Sequence, residues 1–228
     1  MNYVEVAGQP ASDVDGWLSN REGEVLYELA KAVPPGQAIV EIRSWRGEST
    51  VWLATGASAG NGSSVYSVDP QGEQGPGVGD LQETYPVMVK NLSNAGVRNG
   101  VTILSSNAEV AALRRRRNVG LLCMGVFQDY DAIRSAFVAW KPLLLPAAVV
   151  AVKDCDQPGP SCFVEEYLKQ SDDFSIVRAI DTTIIAAYDS CVHHWVIDSV
   201  DSGVCQHCGR RRTFRAPPRW GKPAGAGK

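Results

Sequence analysis

Two groups of residues in this chain have types and spacings that could do chemistry. Near the C-terminus, Cys191, Cys205 and Cys208 fall within eighteen residues, alongside the histidines His193, His194 and His207. Cys205 and Cys208 have two residues between them and precede Gly209, a spacing that turns two thiolates to one side of a tight turn. Cys191 supplies a second pair with His193 or His194: Cys-x-x-His spacing favours His194, a one-residue gap His193. Three thiolates and one imidazole would close a tetrahedral zinc site, structural rather than catalytic. The second group lies in IVEIRSWRGESTVWLA (39–54), which reads as a buried strand, a polar loop holding Gly47, and a helix start at Ser49 and Thr50. Such a turn aims backbone N–H groups at whatever binds above the strand ends. Asp69 closes the next apolar run, VYSVDP, where a carboxylate can accept hydrogen bonds from ribose hydroxyls. Together these point to an adenosine-containing cofactor.

The elements that must position these residues follow from hydrophobic pattern. Apolar runs at 38–42, 64–68, 101–104, 119–124, 148–152, 174–179 and 182–188 alternate with stretches of helical period at 22–32, 81–95 and 130–140. Alternation of this kind implies a mostly parallel sheet with helices on both faces. The chain has 228 residues, 44% of them hydrophobic and 21% charged, so wholesale disorder is excluded. A net charge of −3 argues against a protein that coats nucleic acid. No apolar run approaches the ~18–20 residues of a membrane span, and the longest, 143–152, is interrupted by Pro146. No secretory signal is visible at the start of the sequence, so the expected setting is cytoplasmic, with thiols reduced or metal-bound. The expected divisions are an N-terminal segment (1–19), a sheet domain (20–190), a metal-binding hairpin (191–215) and a disordered basic tail (216–228). The glycine-rich loop 71–79 has the position of a lid.

From Gly16 to Tyr188 the chain resembles the class I S-adenosylmethionine-dependent methyltransferases, nearest a subgroup whose first motif reads E-I-G-S-W-x-G-x-S-T. The resemblance rests on GWLSNREGEVLYELA, EIRSWRGEST, VYSVDP, NLSNAGV, AWKPLLLP and KDCDQPGP. It implies a Rossmann-like, seven-stranded, mostly parallel sheet whose last strand, TTIIAAY, runs antiparallel. It also implies that Glu41, Ser44, Trp45 and Gly47 border the methionine end of S-adenosylmethionine, that Asp69 holds its ribose, and that Ser106 and Asn107 approach its adenine. The C-terminal segment resembles a zinc ribbon-like hairpin appended to such enzymes, with short strands at 195–198 and 212–214.

The chain departs from that pattern in ways that bear on chemistry. Arg43 stands where the family has the first glycine of the loop. The family's two acids and histidine after strand four fall on Gly125, Phe127 and Gln128, and its late His-Asp pair on Lys153 and Asp154. A divalent-metal clamp therefore lacks ligands, and the expected catalytic groups are Asp154 as base and Lys153 as stabiliser of an acceptor oxyanion. Restoring Asp at 125 and 127 with His at 128 is then expected to raise turnover or to create metal dependence. The leading function is O-methyl transfer to a small-molecule or sugar-like acceptor. The alternative is a degenerate methyltransferase fold serving as a binding or scaffold module. Seven cations after Gly209 would allow contact with nucleic acid, a partner the overall charge does not favour, and no membrane partner is expected.

Overall fold

Seven short apolar runs pair into one sheet: β1 (Ala38–Ile42), β2 (Val65–Asp69), β3 (Val101–Ser105), β4 (Val119–Met124), β5 (Leu144–Val152), β6 (Phe174–Ile180) and β7 (Thr183–Tyr188). Their order is β3-β2-β1-β4-β5-β7-β6. Pairing is parallel from β3 through β5, and β7 runs antiparallel to both its neighbours. The computed structural model describes residues 14–70, 84–115, 118–125, 127, 129–189, 194–206, 209 and 211–214. The chain divides into two compact units, Met1–Asp189 and Ser190–Lys228. The expected lid at 71–79 and tail at 216–228 lie outside the described residues.

Helices α1 (Asn20–Lys31), α2 (Glu48–Ala59) and α3 (Thr84–Asn94) bury Leu26, Trp52, Leu53, Met88 and Leu92 on one face of the sheet. Helices α4 (Ala108–Leu113), α5 (Tyr130–Trp140) and α6 (Pro158–Phe163) bury Ile133, Phe137, Trp140 and Phe163 on the other. Strand positions alternate between these two cores, as the two-residue period of a strand requires: Ile39 belongs to the first, Val40 and Ile42 to the second. Each strand of the buried centre is therefore apolar on both faces, which is why β1 and β4 show no polar alternation apart from Glu41.

Two departures from the sequence reading have local causes. Strand β5 begins at Leu144, four residues before the apolar core of its run, and passes through Pro146. The register jumps there: Leu144 pairs with Val119, but Val149 pairs with Leu121, and Ala147 takes φ +62°. A bulge thus absorbs the proline without breaking the strand. In the second unit, three strands form instead of the expected two: β8 (Trp195–Ile197), β9 (Ser202–Cys205) and β10 (Arg211–Thr213), in the antiparallel order β10-β9-β8. The carboxylate of Asp198 accepts the N–H groups of Val200 and Ser202, each at 2.9 Å, and Asp201 sits at φ +58°. That turn reverses the chain so tightly that residues 202–205 pair on both sides. No helix among the described residues is long and apolar enough to cross a membrane.

The start of α1 is fixed by a reciprocal cap and by a long-range tie. Ser19 Oγ accepts the Glu22 N–H at 3.2 Å, and the Glu22 carboxylate accepts the Ser19 N–H at 3.0 Å. The other Glu22 oxygen accepts from the Thr182 N–H (3.0 Å), the Thr182 hydroxyl (2.8 Å) and the Thr183 hydroxyl (2.8 Å). Burial pushes this carboxyl up, but the hydrogen bonds from Ser19, Thr183 and Thr182 outweigh it and hold its pKa below the ordinary glutamate value. A depressed pKa means stability that is complete above the unfolded value and lost as pH falls through the folded one. Glu22→Ala should cost about 1–3 kcal/mol at neutral pH, the range for leaving buried donors unsatisfied. The gap between parent and variant should begin to narrow below about pH 4.5, as the unfolded glutamate takes up a proton, and close further as pH falls through the depressed folded value. Denaturant melts at pH 7 and pH 3.5 check both statements.

Candidate active site

The carboxyl ends of β1, β2 and β5 meet at a loop whose backbone is unusual. Arg43, Trp45 and Gly47 all take positive φ, at 66°, 48° and 86°. Glycine is required at 47 on two grounds: its φ, and a Cβ there that would lie 2.9 Å from Met88 Cγ. At 43 and 45 ordinary side chains carry the strain, as happens where neighbouring contacts over-determine a site. Those contacts are visible. The Trp45 N–H donates to Asp69 Oδ2 at 3.0 Å, and the Ser67 hydroxyl donates to Ser44 Oγ at 2.7 Å. The Arg43 guanidinium sits 5.4 Å from the Phe127 ring centroid, and the Arg46 guanidinium 4.6 Å from that of Trp45.

Beneath the loop lies a buried charge cluster. Glu41 is fully buried, and its two carboxylate oxygens accept from the hydroxyls of Ser49 and Thr50 at the start of α2. Lys153, only 8% exposed, places Nζ 3.9 Å from Glu41 Oε1 and donates to Ser49 Oγ at 2.7 Å. Burial alone would push this ammonium down; Glu41, with Cys123, Asp154 and Glu48, together more than offset it, and the net shift is upward. Its neighbour Asp154 takes φ +56° and keeps one buried oxygen, Oδ2, without a hydrogen-bond partner among the described residues. Burial raises the Asp154 pKa above the ordinary aspartate value, against the pull of Lys153.

A cavity opens above this cluster, lined by Ser44, Trp45, Ser49, Lys153 and Asp154 together with Arg43 and Glu48. Of the residues singled out from sequence, Glu41 lies one layer below this lining and Gly47 serves as the N-cap of α2. Asp69 ends β2 beside the loop that follows β3: the Ser106 N–H donates to the Asp69 carbonyl at 3.2 Å. Asn107 caps α4 through its side-chain oxygen, accepting the Val110 N–H at 3.3 Å. Sequence reasoning missed the contribution of the segment before α1. Gly16, Trp17 and Leu18 line the same cavity, as do Glu22 and Thr182. The Leu18 N–H donates to Glu48 Oε2 at 3.1 Å, and Arg46 pairs with Asp15 at 3.0 Å. Nothing in the sequence said that Glu22 would reach Thr182.

The structure also corrects the expectation about Gly125. A Cβ there would lie 2.4 Å from the Arg43 carbonyl oxygen and 2.6 Å from that of Ile42. Both carbonyls occupy the space an aspartate stem would need, so an acid at 125 would have to displace that backbone. In the second unit, the Gln206 N–H donates to the His194 carbonyl at 2.8 Å, and Cys205 is buried on β9. Cys191, His193 and Cys208 lie outside the described residues, among which no group of three or more metal-ligating side chains converges.

The fold of the sheet domain is shared with solved methyltransferase structures. A family model described as a methyltransferase domain matches residues 40–155, just over half of the sequence, and the chain belongs to that family. Among solved structures, it is similar to the O-methyltransferase TomG from Streptomyces achromogenes in complex with SAM (19% identity, TM-score 0.58, 76% of this chain and 82% of that one). An O-methyltransferase from Bacillus cereus in complex with SAH is similar at 16% identity and TM-score 0.59, with 75% and 82% covered. A putative rRNA-methylase from Clostridium thermocellum is similar at 15% identity and TM-score 0.56, with 76% and 98% covered. No curated protein sequence matches the chain.

Gly125→Asp should destabilise the protein by about 1–3 kcal/mol or more, the cost of overpacking a close backbone contact. Thermal denaturation of Gly125→Ala and Gly125→Asp measures it; melting points equal to the parent's would refute the contact.

Proposed function

We propose that the protein is an S-adenosylmethionine-dependent O-methyltransferase acting on a small hydroxylated acceptor, with Asp154 as its base. The observation that carries this reading is the unpartnered, buried Asp154 oxygen in a cavity at the carboxyl ends of β1 and β5. The donor set suits the cofactor. Its amino-acid end needs cations for a carboxylate and an anion for an ammonium, and the lining offers Arg43, Lys153, Glu48 and Asp154. Its ribose needs a carboxylate, which Asp69 supplies beside Trp45, with Ser106 and Asn107 next along toward the adenine. When bound, S-adenosylmethionine supplies an electrophilic methyl group.

The chain's own residues would then do three things. Asp154 accepts the proton of the acceptor hydroxyl as the O–CH3 bond forms and the S–CH3 bond breaks. Its raised pKa brings it closer to the working pH, where a base is most effective. Lys153, held charged against Glu41, stabilises the developing oxyanion. The strained loop fixes Trp45 and Ser44 so that the methyl and the acceptor meet in line.

A second reading, a fold that binds its cofactor but no longer turns over, draws on the same Lys153–Glu41–Ser49 cluster, which ties the ammonium to a purely structural partner. One experiment separates the two. Calorimetric titration with S-adenosylhomocysteine should show binding, weakened by about 1.5–3 kcal/mol in Asp69→Ala, the worth of a hydrogen bond to a charged group. Methyl transfer from labelled cofactor to a library of hydroxylated acceptors should disappear in Asp154→Asn while binding persists. Binding without transfer in the parent would establish the second reading, and no binding would refute both.

For the Ser190–Lys228 unit we infer a structural zinc held by Cys191, Cys205, Cys208 and one of His193 or His194. The support is the turn that spans Cys205 and Gly209: the Gly209 N–H donates to the Cys205 carbonyl at 2.9 Å, with Gly209 at φ +72°. That is the tight reversal a Cys-x-x-Cys-Gly pair of thiolates needs. A unit this small gains its folding energy from metal, and acid releases the ion as the ligands protonate. Metal analysis of protein purified without added zinc should give one zinc per chain, lost in Cys205→Ser and in only one of the two histidine variants. Full occupancy in Cys205→Ser would overturn the assignment.

A further inference from the structure

We propose that the amino end of the sheet carries a second ligand site, for a single aromatic ring that bears a phosphate or a carboxylate. The site lies where β1 and β4 begin and α5 ends, at the opposite end of the strands from the candidate active site. A cavity of about 200 Å³ there has Val40 and Val119 on its strand side and Tyr66, Trp140 and Asn118 around it, with Arg114 and Arg115 completing the lining. A second cavity, of about 210 Å³, lies between β3 and α4 and shares both arginines with Ser105 and Ser106. The pair of cations therefore stands where two spaces meet.

The helix alone does not account for these cations. Arg114 caps the C-terminus of α4, a helix of six residues, and the sequence runs on as four consecutive arginines, 114–117. A helix C-terminus favours a cation, but the effect fades within the last turn. Among the described residues neither Arg114 nor Arg115 pairs with a carboxylate, and no acid lines either cavity. Adjacent guanidiniums repel each other, and an anion bound by both removes that cost. Arg115 is also held in place: its guanidinium sits 4.3 Å from the Tyr66 ring centroid. Its Nε is buried and has no hydrogen-bond partner among the described residues. A buried donor left unmade is costly, and an oxyanion supplies the acceptor that the guanidinium fork is shaped for.

The rest of the lining selects a ring. Val40 and Val119 are apolar, and Trp140 spends its indole N–H on the Ala108 carbonyl at 2.9 Å, so it presents only hydrocarbon to a ligand. An apolar cavity of ~150 Å³ holds benzene, so the larger space here suits one six-membered ring with its anionic substituent. An inorganic ion would leave the apolar side empty, and a neutral ring would leave the arginines unpaired. The site does not depend on the methyltransferase reading.

NMR on the full chain tests the proposal. Phenyl phosphate and benzoate are the probes, with phenol, inorganic phosphate and a single-stranded oligonucleotide as comparisons, each with and without saturating S-adenosylhomocysteine. One or both aromatic anions should bind, the tighter of the two naming the anionic group. They should shift the backbone amides of Ala38, Tyr66 and Asn118 and leave those of 43–49 and 153–154 in place, whether or not S-adenosylhomocysteine is present. Apparent affinity should fall roughly tenfold in Arg115→Met, the loss of a hydrogen bond to a charged group, and stay reduced in Arg115→Lys, which keeps the charge without the fork. The shift map of the parent locates the site even if a variant folds poorly. No binding, shifts confined to 43–49 and 153–154, or equal binding of phenol or inorganic phosphate would overturn the proposal. So would tighter binding of the oligonucleotide at the same amides. Binding at this site by a protein that never binds S-adenosylhomocysteine would refute the methyltransferase reading and leave the second site standing.

Discussion

A carboxylate with no exposure at the end of a central strand is the constraint on which this site is built. Removing Glu41 from water is tolerable only because two hydroxyls and an ammonium surround it. Those partners come from separate elements. Ser49 and Thr50 open α2, and Lys153 follows β5, so one buried charge ties the first strand, its crossover helix and the fifth strand at one level. Removing any single partner would leave the remainder buried and unsatisfied. The loop between β1 and α2 is stretched across this anchor, and its two non-glycine residues at positive φ are the visible result.

The same anchor divides labour between adjacent residues. Lys153 reaches down to Glu41 and Ser49, and Asp154 keeps a buried oxygen without a partner among the described residues. A chain that spent both charges on the anchor would have a stable sheet and an inert cavity. The segment before α1 completes the enclosure from the other direction. Glu22 holds the β6–β7 turn through Thr182 and Thr183, and Glu48 holds Leu18. The site is thus framed by residues far apart in sequence and joined by carboxylates.

Much of the architecture was legible in the sequence because the central strands are apolar on both faces and their runs are bounded by loops. β1, β4 and α5 fall where pattern places them. The Asp69 position was equally legible, since a strand-end acid after VYSV has few other places to be. What pattern could not show was the bulge that carries β5 through Pro146, because a proline ordinarily argues against a strand. Nor could it show the third strand at 202–205, whose pairing depends on how Asp198 folds its own turn. The role of Gly125 was hidden for a further reason. Its lack of a side chain answers the backbone of Arg43, more than eighty residues away, and such close approaches leave no periodic trace.

The bulge in β5 has a bearing on the other end of the same strand. Side chains along a strand point to alternate sides, so adding or deleting one residue between Leu144 and Val149 would shift every later position by one step. A deletion would set Asp154 where Lys153 now stands, carboxylate against buried carboxylate, and an insertion would set Val152 there; either way the anchor loses its ammonium. A segment with no contact to the cavity is therefore bound to a fixed length by the sign of a charge several residues downstream. Any drift in the length of this bulge meets an electrostatic ratchet.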